Sequence, residues 1–120
     1  MSTKKTAQER RESPRLANNI PLKLIDETGD IVTESVNISR SGLYCRVNRY
    51  IEPMVKLKVN LLLPVRKNGK NSSRKIACEG VVVRIEEAQE QDHYNIAVFF
   101  NDITQRDAES IADYIGTFME

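Results

Sequence analysis

Residues 55–63 read VKLKVNLLL, with an apolar side chain at every odd position and lysine or asparagine at three of the even ones. A period of two puts the apolar side chains on one face of an extended chain, which is typical of a β-strand with one face on a core. Pro64 follows directly, and we expect it to end the strand because proline has no N–H for a sheet ladder. This stretch predicts a protein built on a β-sheet.

Turn-forming residues separate five further segments that have strand character. The polar stretch 66–75 is expected to form a long turn around Asn68-Gly69. Gly80 interrupts a strong strand pattern and predicts a bulge at that point. The five segments are residues 22–24, 31–36, 43–47, 76–85 and 94–100.

Residues 104–120 change from the strand period to the helix period. Thr104-Gln105-Arg106-Asp107 resembles a capping box with Asp in place of Glu, and Ile111, Ile115 and Phe118 then recur at helical spacing. Closing a sheet removes its edges, and one helix can cover an open end. The expected fold class is therefore all-β, a six-stranded antiparallel β-barrel with a C-terminal α-helix.

The composition describes one ordinary globular domain. The 120 residues are 40% hydrophobic, which allows a single core without disulfide or metal support. The apolar run 96–100 is far shorter than the ~20 residues of a membrane helix. The first 15 residues lack the apolar segment of a secretory signal. We therefore expect a cytoplasmic protein with no membrane insertion.

The sequence does not group the residue types that catalysis or metal binding needs. Cys45 and Cys78 are widely spaced and form no C-x-x-C motif, so they are interpreted as small core residues. His93 is the single histidine and is interpreted as a surface or strand-end residue. We accordingly predict no enzyme activity, no metal site and no cofactor.

The N-terminal segment is basic. Residues 1–9 are expected to be a flexible basic arm, followed by a single domain over residues 10–120. Arg10-Arg11-Glu12-Ser13-Pro14-Arg15 then places three guanidinium groups within six residues. Arginine binds phosphate and the guanine edge through two parallel hydrogen bonds and stacks on bases. A solvated arm without a ligand explains the same residues, so this segment alone leaves both interpretations open.

A second polar segment, Asn37-Ile38-Ser39-Arg40-Ser41-Gly42, interrupts the strand pattern. Its polar side chains can bond to their own backbone as a turn. They can also form a polar cup on the surface, where Asn37 and Ser39 bind a ligand and Gly42 lets the backbone approach it. Both interpretations stay open for this segment alone.

Together, in this order and with these strands, the two segments resemble the paired signature of the PilZ domain family. That signature is R-x-x-x-R followed by [D/N]-x-S-x-x-G. It is complete here as Arg11-Glu12-Ser13-Pro14-Arg15 and Asn37-Ile38-Ser39-Arg40-Ser41-Gly42. Segments 42–44, 80–85 and 95–100 are also similar to the family's usual order, so the resemblance covers residues 9–118.

The resemblance implies a bacterial receptor for the second messenger cyclic di-GMP that changes conformation on binding and signals through an unidentified protein target. Arg11 and Arg15 would bind phosphates and guanines with assistance from Arg10. The second motif would form the surface under one guanine, through Asn37, Ser39 and Gly42. Asn37 stands where the family more often has Asp, and an amide can donate where a carboxylate only accepts.

Two other functions remain open from the sequence. Small barrels with a basic arm often bind single-stranded nucleic acid. The charge disfavours this, because residues 16–120 hold thirteen Lys/Arg against fifteen Asp/Glu. A PilZ-like adaptor that binds no nucleotide is the other alternative. Arg46 and Arg84 flank the predicted site and are interpreted as outward-facing solvated side chains, with a role in binding left open.

Overall fold

Six antiparallel strands and one α-helix make up the computed structural model, which describes residues 17–118. The prediction of six strands and a C-terminal helix is confirmed. The elements are β1 Pro21–Asp26, β2 Gly29–Ser39, β3 Gly42–Val47, β4 Lys56–Lys67, β5 Lys70–Glu87, β6 Tyr94–Asp102 and α1 Gln105–Gly116.

The sheet closes in a ring with the strand order β1-β2-β3-β6-β5-β4, in which β4 pairs back with β1. Each strand therefore has an antiparallel neighbour on both sides. Every second side chain of a strand points inward, and these apolar side chains pack into one core. The burial of their surface away from water is the main stabilising contribution to the fold. Fully buried members of this core include Leu24, Ile38, Leu43, Leu57, Leu61, Ile76 and Ile96.

The predicted helix cap is present. Thr104 is the N-cap of α1, and its hydroxyl accepts a hydrogen bond from the Asp107 N–H at 3.1 Å. Ile111 and Ile115 are buried, whereas Phe118, which follows them at helical spacing, is 55% exposed. The helix ends at Gly116, before the next turn can bring Phe118 inward. Among residues 17–118, no helix is both long and apolar enough to cross a membrane.

The boundary predicted at Pro64 is wrong, because β4 continues through it to Lys67 and pairs Pro64 with Ser73 of β5. The pairing of β4 with β1 stops at Leu61, so the outer edge of β4 carries no ladder at Pro64. A residue without an N–H fits at such an edge. The long turn predicted over residues 66–75 is also wrong except for Asn68-Gly69, where both residues have positive φ.

This β4–β5 hairpin extends beyond the ring, because the pairing of β5 with β6 starts only at Glu79. Most side chains of the extension are exposed, which explains why its sequence lacks the apolar alternation of a core strand. The predicted bulge is confirmed next to this boundary, as the register shifts between Glu79 and Gly80. A Cβ atom on Gly80 would lie 2.5 Å from Val98 Cγ1.

Candidate functional site

The second polar motif forms a tight hairpin. Asn37 and Ser39 belong to β2, Gly42 begins β3, and the connection between the strands is Arg40-Ser41 alone. The motif thus extends the predicted strand rather than interrupting it. A register shift between Ser35 and Asn37 puts an extra residue into β2 just before the motif. The pairing then brings Ser39 opposite Gly42 and Asn37 opposite Tyr44.

Ser39 is fully buried and its hydroxyl is engaged inside the hairpin. Its Oγ accepts from the Ser41 N–H at 3.2 Å, lies 3.1 Å from Ser41 Oγ and lies 3.4 Å from the Gly42 carbonyl oxygen. In this structure Ser39 therefore shapes the turn. Asn37, by contrast, is half-buried on the strand that leads into it.

We expect Ser39→Ala to lower the free energy of unfolding by about 1–3 kcal/mol, because the Ser41 N–H loses its acceptor in a partly buried turn. Thermal or urea unfolding measures this change. Ser72→Ala serves as the control, because Ser72 is an exposed serine on β5 and the variant makes the same exchange away from the turn. If Ser39→Ala unfolds like the unaltered protein, the Ser39 hydroxyl does not hold the hairpin together.

Gly42 allows β3 and β6 to approach each other closely. A Cβ atom at Gly42 would lie 2.3 Å from the Val98 carbonyl oxygen, far inside any normal contact. The strand pairing continues past this point, since the Phe100 N–H donates to the Ser41 carbonyl oxygen at 2.9 Å. Glycine is therefore required at position 42 because the backbone of the neighbouring strand β6 leaves no room for a side chain.

The chain that leads into β1 is hydrogen-bonded to β2 beside the motif. Ser35 Oγ donates to the Asn18 carbonyl oxygen at 2.7 Å and accepts from the Ile20 N–H at 3.0 Å. Asn19 Nδ2 donates to the Ser35 carbonyl oxygen at 2.9 Å, and Asn18 also donates to the Tyr114 hydroxyl. Ser35 is fully buried and lies two residues before Asn37. This anchor was missed from the sequence, because a serine inside a strand gives no sign of its partners.

The predicted arginines Arg10, Arg11 and Arg15 lie outside the described residues, as do the proposed arm and the start of the predicted domain. The structure therefore brings together Asn37, Ser39 and Gly42. Residues 18–20, which follow the arginines in sequence, are hydrogen-bonded to Ser35, two residues before Asn37.

Polar side chains cross the outer face of the sheet beside the hairpin. The Tyr44 hydroxyl donates to Glu86 Oε1 at 2.9 Å, and Arg84 Nη2 lies 3.1 Å from Glu86 Oε2. Arg46 Nη1 pairs with Glu90 Oε1 at 2.8 Å. Both arginines face outward as predicted. The contact between Tyr44 and Glu86 was not predicted, because sequence alone does not show which residue of another strand a side chain reaches.

The described residues contain no cluster of three or more His, Cys, Asp or Glu side chains that could hold a metal ion. Burial raises the pKa of the Cys45 thiol to about 12. Burial, followed by nearby Asp107 and Asp102, raises that of Cys78 to about 12 as well. Both thiols are therefore protonated at neutral pH, and a thiol is a poor nucleophile compared with a thiolate.

Comparison with known proteins supports one family. The family model described as PilZ domain matches residues 9–116. A comparison with curated proteins gives no significant match. Among solved structures, the inhibitor of motility MotI/DgrA from Bacillus subtilis has a TM-score of 0.80 at 21% identity, over 92% of this chain and 51% of that one. This chain thus spans about half the length of that protein.

Two solved structures of PilZ domains also superpose on this chain. The PilZ domain of YcgR from Escherichia coli, solved with c-di-GMP, has a TM-score of 0.65 at 7% identity, over 92% of both chains. The PilZ domain of CeSA from a cellulose-synthesizing bacterium has a TM-score of 0.58 at 10% identity, over 90% of this chain and 100% of that one. At 7% and 10% identity, the similarity to these two structures shows a shared fold.

Proposed function

Because this chain belongs to the PilZ domain family, we propose that it is a receptor for cyclic di-GMP that passes the signal on by contacting another protein. Arg11 and Arg15 hold phosphates and guanines, Arg10 assists, and Asn37, Ser39 and Gly42 form the surface beneath one guanine. Cyclic di-GMP has two phosphates and two guanines, which arginine recognises by charge and by its planar fork.

The observation that supports this proposal is the anchor at Ser35. Arg15 is three residues before Asn18, and Asn18 accepts a hydrogen bond from Ser35 at 2.7 Å. Three residues of chain span at most about 11 Å, at ~3.6 Å per residue. Asn37 follows Ser35 by two residues, so this contact supports a site to which both motifs contribute.

The proposal includes the finer features predicted from the sequence. Residues 10–120 act as one domain built on a six-stranded β-barrel, and residues 1–9 form a basic arm. The protein is cytoplasmic, carries no cofactor and is a binder rather than an enzyme. Its output is a contact with a target protein.

Titration of the purified protein with cyclic di-GMP tests this function directly. We expect saturable binding in calorimetry, with weak competition from cyclic di-AMP because adenine has a donor where guanine has O6. A short single-stranded oligonucleotide is the parallel titrant. Binding of the oligonucleotide alone would favour a nucleic-acid binder, and binding of neither would favour an adaptor that takes no nucleotide.

We further propose that the ligand orders residues 1–15 against the sheet. Apart from Met1 and Ala7, the segment has no apolar side chain to dock it, so its order must come from the ligand. Amide hydrogen exchange should show protection of this segment only at saturation. At 100 times the dissociation constant, binding should also add about 2.7 kcal/mol of stability. Protection that is already present without ligand, or absent with it, would contradict this mechanism.

A further inference from the structure

The hydrogen bond between Tyr44 and Glu86 spans a whole strand. Tyr44 lies on β3 and Glu86 on β5, and β6 runs between them. Two strand spacings are about 10 Å, yet the Tyr44 hydroxyl and Glu86 Oε1 are 2.9 Å apart. Both side chains must therefore extend along the surface over β6. The Tyr44 ring is held across the sheet instead of standing out from it.

The residue beneath this ring is small. Tyr44 pairs with Ala97 of β6, and Ala97 pairs in turn with Arg84 of β5. A methyl group leaves room for an aromatic ring to lie over it, and Tyr44 is half-buried. The ring is thus only partly covered and keeps exposed surface on the outer side of the sheet.

The same carboxylate fixes a cation next to the ring. Glu86 Oε2 lies 3.1 Å from Arg84 Nη2, while Oε1 accepts the Tyr44 hydroxyl. On its other side Tyr44 pairs with Asn37 of the motif hairpin. The outer face therefore carries one continuous row across four strands, consisting of Asn37, Tyr44, Ala97 and Arg84.

We propose that Tyr44 is the aromatic platform on which one guanine of cyclic di-GMP stacks, and that Glu86 is the positioning residue that holds the platform flat. This inference rests on the proposed function. A ring already fixed before binding loses little rotational freedom when a base covers it, so its orientation favours affinity. Burial, followed by the Glu86 bond, raises the pKa of Tyr44, which keeps the phenol protonated as the donor.

An affinity series tests the platform by calorimetry with cyclic di-GMP. Tyr44→Leu keeps apolar bulk without an aromatic face, and we expect it to weaken binding about tenfold, as expected when base stacking is lost. Tyr50→Leu is the matched control, because Tyr50 is 52% exposed and lies beyond the end of β3 farther from Gly42. It should leave the dissociation constant unchanged. Melting curves check that both variants fold.

A double-mutant cycle tests the positioning role of Glu86. Tyr44→Phe and Glu86→Ala each break the bond but keep the ring, so each should weaken binding a few-fold. Combined in one chain, they should weaken it no more than either alone. Glu86→Gln keeps an acceptor for the Tyr44 hydroxyl and should restore most of the affinity. Additive losses would overturn the positioning role.

A fluorescent reporter separates stacking from a structural effect. The chain has no tryptophan, so Tyr44→Trp introduces a single indole whose emission a stacked guanine should quench. Tyr50→Trp is the control and should stay bright at saturation. If the unaltered protein binds but Tyr44→Leu binds equally well, or the indole at position 44 is not quenched, the platform is wrong while the proposed function stands. If the unaltered protein does not bind, both fail.

Discussion

Alanine in place of Arg11 or Arg15 is expected to lower the affinity for cyclic di-GMP by ten- to hundredfold. Each guanidinium would supply charge-assisted hydrogen bonds worth about 1.5–3 kcal/mol, and 1.4 kcal/mol corresponds to a factor of ten in the dissociation constant. Binding should be almost lost in the usual concentration range of calorimetry. Lysine at either position should restore it only in part, because lysine keeps the charge but lacks the planar fork.

Arg66→Ala is the matched control for this experiment. Arg66 is an exposed arginine on the part of β4 that extends beyond the ring, so its loss removes the same charge away from the motif hairpin. Its affinity should equal that of the unaltered protein. An unchanged dissociation constant in both Arg11→Ala and Arg15→Ala would remove these arginines from the site.

Gly42→Ala is expected to lower the free energy of unfolding by about 3 kcal/mol, which is the upper end of the usual cost of overpacking. The reason is that the new methyl group would meet the Val98 carbonyl oxygen at 2.3 Å, and a backbone atom cannot rotate away. β3 and β6 must separate where the motif hairpin joins them. Thermal unfolding should show a loss of roughly 10 °C for a domain of this size.

Gly116→Ala provides the comparison, because a Cβ atom at Gly116 meets nothing within 4 Å at the end of α1. It should leave the melting temperature unchanged or raise it slightly, since alanine favours helix over glycine. A Gly42→Ala variant as stable as Gly116→Ala would mean that β3 and β6 do not approach as closely as described.

Features that depend on local sequence were predicted correctly. The alternation around Leu57 and Val59 follows from one buried face, the Thr104 cap depends on a residue three positions away, and the bulge at Gly80 follows from a glycine inside a strand. In each case the residues from which the feature was predicted lie within a few positions of the feature itself. The periodicity of apolar residues and the rules of helix capping are sufficient to predict features that depend on such nearby residues.

The wrong predictions concern features that depend on distant partners. Pro64 ends no strand because β1 has already stopped pairing with β4 at that level. The reach of Tyr44 to Glu86 follows from the order of strands β3, β6 and β5, and a single sequence does not give that order.

The β4–β5 extension also bears on how molecules of this protein behave at high concentration. Within residues 17–118, closure of the ring gives every strand a neighbour on both sides, but the β4–β5 extension presents two strand edges without a neighbouring strand. Pro64 lies on one edge strand, and Lys70 and Lys75 lie on the other. Proline and lysine at such edges oppose the addition of a foreign strand. These residues therefore protect the β4–β5 extension against self-association into extended sheets.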